Sequence, residues 1–121
     1  MEFLCHSHRF GERLLKEEYS SLQAEIFGVI GAITDDEIIQ RHEEFHIHQK
    51  SISMALNDPL KSRFTGLGWR AESHIFQDPE YSSGRGKVWR LDFAKEAVSI
   101  EVAYNHGEAL AWNLLKPVLA S

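Results

Sequence analysis

The sequence is poor in several things. A single cysteine, Cys5, excludes an internal disulfide, and a lone thiol suits a reducing compartment. No apolar run approaches the roughly 20 residues that span a bilayer. The first ten residues, with Cys5, His6, His8 and Arg9, lack the apolar stretch of a secretory signal. These features together give a cytoplasmic expectation. Positive charge is also scarce. The net charge of −5 argues against a general nucleic-acid binder, which needs Lys and Arg for phosphates. There is no internal repeat and no low-complexity segment.

What is present suits one compact domain. The chain has 121 residues, 43% of them hydrophobic and 26% charged, which is ordinary for a globular fold with one core. The expected division is a helical region over 1–65 and a sheet-containing region over 66–121. The cations are uneven. Lys61, Arg63 and Arg70 come first, and Arg85, Lys87 and Arg90 lead into the most informative segment. They form a local basic patch or a solvated surface, and sequence leaves both readings open.

The N-terminal half reads as helices. Leu22, Ile26, Val29, Ile30 and Ile33 repeat at helical spacing within 18–33, although Gly28 and Gly31 weaken that helix. Thr34 followed by Glu37 matches a capping box, so a helix should start near Asp35 and run through the forties. A third should cover 51–64, with Ile52, Ala55, Leu56, Leu60 and Phe64 on one face. Pro59 should kink or restart it, because it has no amide donor.

Gly66-Leu67-Gly68 looks like a helix stop, and the period then changes. A first strand is expected over Trp69–Phe76 and a loop over Asp78–Gly86. Lys87–Ala94 alternates, with Val88, Arg90, Asp92 and Ala94 on one side and Trp89, Leu91 and Phe93 on the other. Val98–Tyr104 alternates again. A tight Lys95-Glu96-Ala97 link makes the two an antiparallel hairpin. A helix should follow from Gly107, with Ala111, Leu114, Leu115 and Val118 on one face. The fold class is therefore α+β: N-terminal helices, a small mainly antiparallel sheet and a C-terminal helix. Trp69, Trp89, Trp112 and Phe76 are expected in a core or interface.

Asp92 and Glu101 are nine residues apart on adjacent strands and meet across this hairpin. Two such carboxylates repel unless a cation lies between them. Mg2+ is a hard ion that takes oxygen ligands and keeps several waters, and it can activate water against a phosphate. Two acids on an exposed sheet face are the bland alternative.

The run Trp89-Arg90-Leu91-Asp92-Phe93-Ala94-Lys95, then Ile100-Glu101-Val102-Ala103-Tyr104-Asn105, resembles the active-site segment of the BglII/BstYI-type restriction endonucleases. Those enzymes show Asp-Phe-x-Lys and then Glu-Val-x-aromatic at the same Asp-to-Glu spacing. The continuation from Asn105 to Pro117 and the Gly68-Trp69 pair also resemble the family, so the match covers about 66–121. The resemblance implies a PD-(D/E)xK core, Mg2+-dependent hydrolysis of double-stranded DNA and a homodimer on a short palindrome. It makes Asp92 and Glu101 metal ligands. It offers Glu72 as a further catalytic acid, with Gln77 as the alternative and an ordinary surface acid as the plainer account. Arg85, Lys87 and Arg90 become candidates for DNA backbone contact. Asn105 and His106 become candidates for the groove, since Asn can pair with adenine edges.

Two departures qualify it. The third motif position, usually Glu, Lys or Gln, is Ala103, so Lys95, Asn105 or Glu108 would have to substitute. The fold also needs a strand after the last helix, while the sequence ends at Ser121. That favours a truncated product or fragment, and with it a second reading: a non-catalytic remnant that dimerises or binds DNA weakly. A third reading comes from His42-Glu43-Glu44-Phe45-His46, a literal H-E-x-x-H that would bind zinc in a metalloprotease. Glu44 is charged where such enzymes keep an uncharged residue, and no clear third ligand follows. Cys5-His6-Ser7-His8 is a weaker metal tract.

Overall fold

The computed structural model describes residues 1–75, 90–104, 115, 118 and 119. The chain divides into two compact units, Met1–Leu67 and Gly68–Ser121.

The first unit holds four helices, α1 (Gly11–Glu18), α2 (Ser20–Ala32), α3 (Asp35–Phe45) and α4 (Ser53–Gly66). α1 is a separate short helix that periodicity had not set apart, and none of its residues is buried. α3 begins where the capping signature places it: Thr34 Oγ1 accepts the Glu37 amide at 3.2 Å. The Glu37 carboxylate instead serves a long-range pair, accepting from Arg63 of α4 at 3.0 Å. Leu22, Val29, Ile33, Ile38, Ala55, Leu60 and Phe64 are buried here. Removing these apolar side chains from water is the main stabilising term.

α4 corrects the expected restart at Pro59. It is continuous through Pro59 and neither stops nor restarts there. Pro59 is buried together with Ala55, Leu60 and Phe64. That burial offsets the hydrogen bond which a proline cannot donate.

The described sheet has three strands in the order β1 (Arg70–His74), β2 (Arg90–Lys95), β3 (Val98–Ile100), both pairs antiparallel. The architecture is α+β. Trp69, Leu91, Phe93 and Ala94 are buried, which puts Trp69 in a core as expected. Ala94 departs from the alternation and is buried with its neighbour Phe93. Lys95 pairs with Val98, so the turn is the two residues Glu96 and Ala97. Glu96 has φ +52°. Positive φ at the first turn position alone is the sign pattern of a type II′ turn, which suits the twist of a hairpin.

β3 is shorter than the alternation suggests. It ends at Ile100, and residues 101–104 leave the ladder. The Val102 amide turns instead to the Asp92 side chain. Leu115, Val118 and Leu119 are helical, and all three are exposed. The loop over 78–86, Phe76, Trp89 and Trp112 lie outside the described residues.

Candidate metal centre

β2 is the middle strand, and Asp92 is half-buried between buried Leu91 and Phe93. The β2–β3 register runs Lys95↔Val98, Ala94↔Ser99, Phe93↔Ile100, and one further step brings Asp92 opposite Glu101. On the other side, Ala71 pairs with Phe93 and Ser73 with Leu91, so Glu72 falls across from Asp92. Three acids thus share one row across three neighbouring chain segments. Asp92 and Glu101 are half-buried, and Glu72 is exposed. Glu101 Oε1 is buried from solvent.

Asp92 is held in place. Its Oδ2 accepts the Val102 N–H at 2.8 Å. A hydrogen bond to a charged oxygen is stronger than a neutral one. Tyr104 is nearby: burial raises its phenol above the ordinary value, and the Asp92 charge raises it further. Glu72 has φ +51°, a left-handed backbone that is costly for a residue other than glycine.

The other sequence-selected residues are dispersed or outside the described set. Arg90 is half-buried, two residues before Asp92 and on the same side of β2. Ala103 is exposed, and its methyl group offers no ligand. Lys95 lies three residues beyond Asp92, so the alternation of the strand puts it on the other face. Its Nζ lies 3.8 Å from where a Cβ at Gly68 would stand. Arg85, Lys87, Asn105, His106 and Glu108 lie outside the described residues, as does Gln77.

The H-E-x-x-H segment has a different use in this fold. His42 is half-buried on α3, but His46 is the C-cap residue and has left helical geometry. Its Nε2 lies 2.7 Å from Asp58 Oδ2, and the same oxygen accepts from Arg41 at 2.9 Å. The pair joins the end of α3 to α4. Sequence reasoning missed this role, because the partner is 12 residues away on another helix. Among the described residues, no three or more His, Cys, Asp or Glu gather in a metal-holding group.

The donor set at Asp92 and Glu101 fits Mg2+. It offers hard carboxylate oxygens, one of them buried, and Mg2+ is commonly held by one or two carboxylates plus waters and substrate phosphate. The family comparison makes the class specific. The family model for restriction endonuclease BglII/BglIII matches residues 3–121, and the chain belongs to that family. Comparison with curated proteins and with solved structures returns no match. Among the described residues, no helix is long and apolar enough to cross a membrane.

Proposed function

We propose that this chain is a type II restriction endonuclease with a PD-(D/E)xK site, acting in the cytoplasm as a homodimer on a short palindrome in double-stranded DNA. The observation that supports the site is the β2–β3 register, which ends at Phe93↔Ile100 and, carried one step further, sets Asp92 opposite Glu101. Asp92 and Glu101 would hold Mg2+. When bound, the ion supplies an activated water and neutralises charge on the phosphate under attack. Glu72 adds a third acid to the row. On this reading Arg90, with Arg85 and Lys87, would hold the phosphate backbone, and Asn105 and His106 would be the candidates for contact in the groove. A two-fold dimer matches a palindrome because each subunit presents the same face to one half-site.

The test is cleavage of duplex DNA with and without Mg2+. Wild-type protein should cut only with the ion, and Asp92→Ala should abolish cutting. Undiminished cutting by Asp92→Ala removes the site assignment.

One observation favours a second reading. The exposed methyl of Ala103 leaves the third motif position without a ligand, as in a remnant that keeps dimerisation or weak DNA binding and has lost catalysis. Calorimetry separates the two readings: a remnant shows no heat of Mg2+ binding.

A further inference from the structure

The contact between Val102 and Asp92 joins the two sides of the hairpin. The amide that donates to Asp92 Oδ2 at 2.8 Å belongs to the residue directly after Glu101. It lies on the segment that has left the β3 ladder, so this N–H serves a side chain where a regular strand would serve a carbonyl. A carboxylate held at one oxygen by a fixed backbone donor cannot turn freely about its side-chain bond. The direction of its second oxygen follows.

We propose that the Val102 amide is a positioning group for the carboxylate pair. By holding Asp92 Oδ2 it sets Oδ1 as the oxygen offered to a divalent cation beside Glu101, so Asp92 acts as a one-oxygen ligand. This rests on the reading that Asp92 and Glu101 hold the cation. Val102 and Glu101 are adjacent in the chain, so one backbone segment carries one ligand and aligns the other. Ala103, next along, contributes no ligand from its side chain. What this segment supplies beyond Glu101 is therefore a backbone donor, and the N–H of residue 102 matters more than its side chain.

The experiment is calorimetric Mg2+ titration of the full chain, without DNA. Val102→Pro removes the N–H, and Val102→Ala is the conservative comparison that keeps it. A lost hydrogen bond to a charged group is worth about 1.5–3 kcal/mol, so Val102→Pro should bind Mg2+ roughly tenfold or more weakly than Val102→Ala. Proline can also disturb the fold, so hydrogen exchange at the Val102 amide gives a second measurement with the backbone unaltered. Protection should persist in Asp92→Asn, whose side-chain carbonyl can accept, and disappear in Asp92→Ala.

Equal Mg2+ affinity in folded Val102→Pro and Val102→Ala overturns the positioning role. So does full protection of the amide in Asp92→Ala. Failure of the underlying site looks different: Asp92→Ala and Glu101→Ala then bind Mg2+ as wild type does, or wild type binds none. That result removes the site and the positioning role together.

Discussion

Glu72 stands across from Asp92 in the β1–β2 ladder, and its backbone is left-handed, with φ +51°. The pairs on either side keep the same register, so no residue is inserted there. A left-handed conformation costs an ordinary residue about 1–2 kcal/mol. Such strain persists where the surroundings enforce it, and it concentrates at functional sites. Asn tolerates this region and β-branched residues do not. Glu72→Asn should therefore match or exceed wild-type stability in urea unfolding, while Glu72→Val should lose about 1–2 kcal/mol. Glu72→Gln keeps the shape and removes the charge. It should lower Mg2+-dependent cleavage by about tenfold, equivalent to about 1.4 kcal/mol of barrier. Wild-type rates in Glu72→Gln would make Glu72 an ordinary surface acid.

Acid stability depends on Asp58. The His46 hydrogen bond, and then the Arg41 one, hold its carboxyl below the ordinary value, with burial opposing them. A depressed folded value means stability that is fully present above the unfolded carboxylate range. It is lost as pH falls through the lower folded value. Asp58→Asn should thus cost most near neutral pH, and the gap to wild type should close in acid. The side chain is 32% exposed, so the expected cost is about 1 kcal/mol. Urea midpoints across a pH series measure it, and a gap that widens in acid contradicts the assignment.

Tyr104 reports on the charge of Asp92. Burial and that charge both push its phenol upward, burial being the larger cause. Asp92→Asn removes the charge and leaves the burial. The Tyr104 value should therefore fall but remain above the ordinary one. NMR titration of labelled tyrosine reads this residue separately from Tyr19 and Tyr81. An unchanged titration would place the phenol away from the carboxylate. In the wild type, the phenol stays protonated at neutral pH.

How far the sequence foretold these features depends on whether the signal was local. Thr34 and Glu37 are three residues apart, and the cap they announce is where α3 begins. Alternation around Asp92 and Glu101 gave the hairpin, since a period of two has few other readings. The positive φ at Glu72 and Glu96 carries no such mark, because glutamate is not a residue that advertises a left-handed backbone. Asp58 gave no warning that it would take His46 away from a zinc-like motif, since that pairing exists only once α3 lies against α4. Pro59 suggested a restart because its local cost is legible and the burial that offsets it is not. The early end of β3 follows from a side chain on the neighbouring strand capturing the Val102 amide.

Ala103 offers a direct way to strengthen the site. It is exposed, so a longer side chain meets no core and should change stability by no more than about 0.5 kcal/mol. It is two residues past Glu101, on the stretch that has left the β3 ladder. Ala103→Glu would add a third hard oxygen donor to the Asp92–Glu101 pair. More carboxylate ligands raise affinity for a hard divalent cation, provided that repulsion among them is neutralised by the ion. Mg2+ should bind several-fold more tightly in Ala103→Glu by calorimetry, and cleavage should rise at limiting Mg2+. Ala103→Val adds bulk without a donor and should do neither. If both variants bind Mg2+ as the wild type does, then residue 103 does not face the carboxylate pair, and Ala there is no reason to regard the site as impaired.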